Sequence, residues 1–87
     1  MRAFYLATLE TQEQKNRFDY LYRKYSELMY KVALSITQSC DLAEDAVHET
    51  FLQVINEIDI LRMDNEKELK SYLYIITRER TIDFLRK

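Results

Sequence analysis

An all-α fold, a compact antiparallel bundle of three long helices with a short one ahead of them, follows from three observations. The 87 residues include no glycine and no proline, so glycine-dependent hairpin turns and phosphate-cradling loops are not encoded. Apolar residues recur at three-and-four spacing through three long stretches, the pattern of amphipathic helices. No stretch alternates polar with apolar as a half-buried strand does. A chain of this length forms one domain, 1–87, burying about 60–65% of the surface its unfolded form exposes.

Met1 to about Glu10 reads as a short amphipathic helix with Phe4, Leu6 and Leu9 on its inner side. Thr11 and Gln14 then make a capping box, the hydroxyl accepting from a free backbone N–H while the amide reaches back. From there Phe18, Leu21, Tyr22, Tyr25, Leu28, Met29, Val32, Ala33 and Ile36 form one long stripe, which predicts a helix to about Thr37. Gln38, Ser39 and Cys40 are the connecting loop. Asp41 is the expected cap of a central helix, with Glu44 three residues on and both acids favoured by the helix dipole. That helix fades near Ile60. Asp64 or Asn65 caps a last helix from about Glu66 to Arg86, whose stripe of Leu69, Tyr72, Leu73 and Ile76 weakens beyond Thr77, where Arg80 and Asp83 stand.

Composition excludes several function classes. A single cysteine, Cys40, cannot form an internal disulfide, and with one histidine the spacing Asp45-x-x-His48 is only half of a bundle-type carboxylate–histidine metal site. No nucleophile–base constellation has local support, so the reading is a binding module without cofactor or metal. The cysteine usage suits a reducing cytoplasm, and no apolar run approaches the roughly 18–20 residues of a membrane span. The net charge of −2 is unevenly spread: residues 41–68 hold two basic and nine acidic side chains, and residues 69–87 five basic and two acidic. Duplex DNA affinity depends on phosphate neutralisation, so unaided duplex binding is expected to be weak and its basic footprint confined to the last helix.

The central helix organises the rest. Ala43, Ala46, Val47, Thr50, Phe51, Val54, Ile55 and Ile58 make its inner stripe, while Asp45, His48, Glu49, Leu52 and Asn56 recur on the opposite side. By spacing alone that side is an ordinary solvated face, and an apolar leucine among charges is a hint of docking. On the last helix Lys70, Tyr74, Arg78, Thr81 and Leu85 share one side. Aromatics beside basic groups suit unpaired bases, which stack on rings while phosphates meet cations. A surface tyrosine shielding a leucine is the plain alternative.

The run Ala43-Glu44-Asp45-Ala46-Val47-His48-Glu49-Thr50-Phe51 resembles the "AEDxxQExF" signature in region 2 of bacterial sigma factors, the extracytoplasmic-function (ECF) type within the sigma-70 family. The stretch Phe18–Tyr25 with Tyr30 is similar to the first-helix pattern of that family, and Ser71–Lys87 to "xWLYxIARNxxxDxLRR". His48 stands where the family usually has Gln, Tyr72 where it has Trp, and Glu79 where it has Asn. The chain stops at Lys87, ahead of the second helical domain that reads the −35 element. The resemblance implies a domain that docks on the clamp coiled coil of the RNA polymerase β′ subunit through Asp45, His48, Glu49 and Leu52. It also implies capture of the non-template strand of the −10 promoter element by the last helix and the loop from Asp59 to Glu68. Lys70, Tyr72, Tyr74, Arg78, Glu79 and Arg86 are the DNA-facing candidates, and an anti-sigma factor is a further partner the family admits. Two rivals stand beside this reading: a sigma-like decoy or split-sigma partner that binds polymerase without reading DNA, and an unrelated helical interaction module.

Overall fold

The computed structural model describes residues 2–86; Met1, where the expected first helix begins, and Lys87 lie outside them. Four helices are present among these residues: α1 (Arg2–Ala7), α2 (Gln12–Thr37), α3 (Cys40–Asn56) and α4 (Glu66–Leu85). The all-α expectation holds. Early α2 packs on late α3 through Phe18 and Phe51, and late α2 packs on early α3 through Ala33, Ala43 and Ala46, so the two run antiparallel. α4 turns back again along both, with Glu66 beside Tyr25 and Phe84 beside the Ala33 cluster. α1 lies across α2 and α3.

The core has two different ends. At one, Tyr5, Phe18, Leu21 and Phe51 are buried together with Leu69 and Leu73. At the other, Ala33, Ala43 and Ala46 leave only small side chains between helices, with Tyr30, Leu34 and Phe84 closing over them. Three threonines are buried as well: Thr50, Thr77 and Thr81 donate to the carbonyls of Ala46, Leu73 and Thr77 at 2.9, 2.6 and 2.6 Å. Each hydroxyl is satisfied within its own helix, so the side chain buries much as valine would. The apolar face of α4 therefore continues past Thr77 through Thr81 to Phe84, contrary to the weakening expected there.

The helix ends correct three further details. Thr11 and Gln14 form the expected box, and Asn65 caps α4 by accepting from the Glu68 N–H at 3.1 Å. α3, however, is capped by Ser39, which accepts from the Leu42 N–H at 3.3 Å, and Asp41 lies in its first turn. The cause is Gln38, which takes the left-handed conformation at φ 56° and closes α2 through its N–H to the Leu34 carbonyl at 2.8 Å. A one-residue reversal starts the next helix earlier than a three-residue loop would. α3 ends at Asn56 and not near Ile60, because Ile58 and Ile60 bond to carbonyls three residues back and tighten the chain into turns. In α1 the buried side chain is Tyr5, and Phe4, expected inside, is 52% exposed.

Candidate functional site

The four α3 candidates do not share one open stripe. Asp45 and Glu49 are exposed, whereas His48 and Leu52 are half-buried. α1 folds against this side: the Tyr5 hydroxyl lies 2.7 Å from His48 Nδ1, and the rings of Tyr5 and Phe4 sit 5.5 and 5.9 Å from the imidazole. Leu52 packs against the aromatic end of the core, which corrects its expected place as an exposed anchor. Asp45 and His48 open onto a groove of about 610 Å³ walled by Tyr22, Tyr30 and Phe51, with Glu27 and Glu44 also lining it. Glu49 faces the other way, into a cleft shared with Arg80, Asp83 and Arg86 of α4. Burial, followed by the neighbouring Tyr22, pushes the Tyr5 phenol up to about 12, so its proton stays on throughout the neutral range.

The α4 candidates divide as well. Lys70 and Tyr74 line a shallow depression with Leu28 and Ile75. Tyr72 is half-buried and turns toward α3, where its hydroxyl donates to Glu57 Oε2 at 2.5 Å. Burial first, and then that carboxylate, holds the Tyr72 phenol well above its ordinary range. Gln53 donates to the same oxygen at 3.2 Å and accepts from Arg80, so a polar chain crosses from α3 to α4. Arg78, Glu79 and Arg86 are exposed. Thr81, expected beside Tyr74 on the outer side, is fully buried.

The segment from Glu57 to Asn65 between α3 and α4 forms one wall of a pocket of about 260 Å³, which Ile60, Leu61, Arg62, Glu68 and Tyr72 line together with Glu57. Three attachments keep this segment in place. Arg17 on α2 donates to the carbonyls of Ile58 and Leu61 at 3.3 and 3.4 Å. Gln14 donates to the Asp59 carboxylate at 3.1 Å. Where the segment enters α4, Glu66 accepts from the hydroxyls of Tyr20 and Tyr25 and from Lys24 Nζ at 3.0 Å. Those three donors hold the Glu66 carboxyl down at about 2. Ile60 is left 77% exposed at the pocket rim. Sequence reasoning placed the loop but none of these tethers, because Gln14, Arg17 and Tyr20 lie more than forty residues from what they hold.

Among the described residues no three His, Cys, Asp or Glu side chains gather as metal ligands, and no helix is long and apolar enough to cross a membrane. The surface offers three features: a groove beside α3, a tethered loop pocket, and an α4 on which Lys70, Tyr74 and Arg78 are exposed.

Comparison with known proteins bears on these features. The family model described as Sigma-70 region 2 matches residues 21–87, which takes in α3, α4 and most of α2 but not α1. The ECF RNA polymerase sigma factor SigM of Bacillus subtilis (strain 168) is 36% identical over 69 residues, covering 79% of this chain. The chain spans 40% of the length of that relative. No solved structure matches it.

Proposed function

The chain belongs to the sigma-70 region 2 family, of the ECF type, and on that premise we propose that it is a promoter-binding domain of a transcription initiation factor. In this reading residues 1–87 are a single region 2 domain. Asp45, His48 and Glu49 on α3 dock on the clamp coiled coil of RNA polymerase β′, with Leu52 supporting them from its half-buried position. The tethered loop and α4 receive the non-template strand of the −10 element, with Lys70, Tyr72, Tyr74, Arg78, Glu79 and Arg86 as the side chains in reach of it.

The observation that carries this reading is the tethered pocket between Glu57 and Tyr72. A base read after leaving its stack needs a preformed hollow with a polar edge and an apolar wall. Ile60, Leu61 and Leu69 supply the wall, and Glu57, Arg62, Glu68 and Tyr72 the polar edge. Holding the loop from α2 lowers the ordering cost of binding, because the segment is already in one conformation.

The test has two arms. Core polymerase is titrated with the wild-type chain and with Asp45→Arg and Glu49→Arg, both exposed, so that the fold is spared. Each should weaken binding by roughly tenfold or more, the scale of losing an interfacial charge contact. Labelled −10-like non-template strand is then titrated with polymerase present, at two salt concentrations. Arg78→Ala should weaken binding and flatten its salt dependence, since one phosphate contact is removed. Glu79→Asn should tighten it, because an ionised carboxylate only accepts and repels phosphate. Unchanged polymerase binding by both α3 variants rejects the docking assignment.

A second reading is favoured by the two carboxylates in the pocket edge, Glu57 and Glu68, set against one arginine. A domain that docks on polymerase and leaves the promoter unread fits that charge. Polymerase binding that depends on α3, together with strand binding indifferent to Arg78, Glu79 and Tyr74, selects it.

A further inference from the structure

α1 lies outside the part of the chain that matches the family, yet it delivers Tyr5 and Phe4 to His48 on the α3 surface. Tyr5 is 2% exposed, and its ring lies 5.3 Å from Phe18, 5.3 Å from Phe51 and 6.3 Å from Tyr22. Its hydroxyl, at the far end of the ring, meets His48 Nδ1 at 2.7 Å. Nothing else in the described structure bonds to that hydroxyl.

A neutral imidazole has one N–H and one bare nitrogen, and the bond made by one nitrogen decides which is which. Two arrangements fit a 2.7 Å contact. In one, the phenol donates to a bare Nδ1 and the ring proton sits on Nε2. In the other, Nδ1–H donates to the phenol oxygen and the phenolic O–H finds no acceptor among the described residues. Leaving a buried donor unpaired is unfavourable on the scale of a whole hydrogen bond. Proton loss from the phenol is no escape, since burial favours its neutral form. The first arrangement pairs both groups within the protein, and the second does not.

We propose that Tyr5 is a positioning residue for the α3 docking surface: its hydroxyl fixes His48 as the Nε2–H tautomer, so that the ring offers an N–H donor to the partner beside the Asp45 carboxylate. The proposal rests on the reading of α3 as the polymerase-docking helix. It makes α1 a part of that surface. The Phe4 ring also lies beside the imidazole, 5.9 Å between centroids.

His48 is the one histidine of the chain, so the ring nitrogens of a histidine-labelled sample report on it alone. Long-range proton–nitrogen correlation, recorded with the imidazole neutral, should show Nε2 protonated and Nδ1 bare and hydrogen-bonded. In Tyr5→Phe the hydrogen-bond shift of Nδ1 should vanish while the melting curve confirms the fold. Core polymerase binding should weaken about fivefold in Tyr5→Phe, the value of one net hydrogen bond. In the His48→Gln background the same change should matter less than about twofold, because an amide carries its N–H donors without any tautomer to set. A protonated Nδ1 in the wild type overturns the inference. So does an equal loss in both backgrounds, which would mark Tyr5 as packing only. If Asp45→Arg and Glu49→Arg bind polymerase like wild type, the docking reading fails and takes the positioning role with it. The nitrogen spectrum tells that failure apart from a wrong tautomer.

Discussion

Truncating Phe51 tests whether the bundle is built around the aromatic end of its core. The side chain is 2% exposed, and its ring centroid lies 5.3, 5.5 and 5.2 Å from those of Tyr5, Phe18 and Tyr22. Phe51→Ala removes most of a buried benzyl group and leaves a cavity between rigid rings, which cannot flow in as aliphatic side chains do. Buried Phe→Ala changes cost about 3–5 kcal/mol, and the poor collapse places this one in the upper half. The whole domain, at about 0.05–0.15 kcal/mol per residue, has only roughly 4–13 kcal/mol of stability. The melting temperature should fall by at least about 15 °C, since each kcal/mol is worth about 4–8 °C at this size. Urea unfolding followed by far-ultraviolet circular dichroism gives the free energy, and a thermal melt gives the second measure. Phe51→Leu, which keeps most of the volume, should lose less than half as much. A loss below about 1 kcal/mol for the alanine variant would refute the assignment of Phe51 to the core centre.

Three further outcomes are expected. Glu66, held at about 2 against an ordinary 4.5, contributes stability that is present above the ordinary carboxylate range and lost as pH falls through its folded value. Glu66→Gln should therefore flatten the dependence of the unfolding midpoint on pH between 4.5 and about 2, and an unchanged slope would dissociate the clamp from folding. Gln38→Gly should stabilise by up to about 1 kcal/mol in chemical denaturation, because a left-handed residue with a Cβ is strained and glycine is not. Thr81→Val should change stability by less than about 1 kcal/mol, since the hydroxyl serves only a carbonyl of its own helix, whereas Thr81→Glu should lose about 3 kcal/mol or more by burying a charge.

Helix content, helix order and two of the caps were legible in the chain itself, because they depend on local spacing and on side chains within three residues of one another. Thr11 with Gln14, and Asn65 before Glu68, are interactions a linear reading can find. The inner face of α3 was legible for the same reason: Ala43, Ala46, Phe51 and Val54 repeat at helical spacing and are all buried. The left-handed turn at Gln38 was not, since the usual glycine marker is absent and the demand for reversal comes from packing α3 back onto α2. Thr81 was misread because a hydroxyl looks polar in one dimension; only the helix carbonyl beneath it makes it, like Thr77, a core residue.

The candidate site divides in the same way. Most of the residues of α3 and α4 that point away from the core stripe follow from periodicity, with Leu52 and Thr81 the exceptions, and the family pattern follows from their order. What surrounds them was decided by tertiary structure. A six-residue helix such as α1 has too few turns for its pattern to choose between Phe4 and Tyr5, and the choice falls to the ring whose hydroxyl finds His48. That choice half-buries His48 on the side that periodicity assigned to solvent. The loop pocket likewise exists because Arg17, Gln14 and Glu66 hold a segment without periodicity of its own. Local spacing determines which helices form and, in the three long ones, which side turns inward; contacts between residues forty apart in sequence, where the entropy of chain closure is met only by the assembled core, decide which of the outward residues meet.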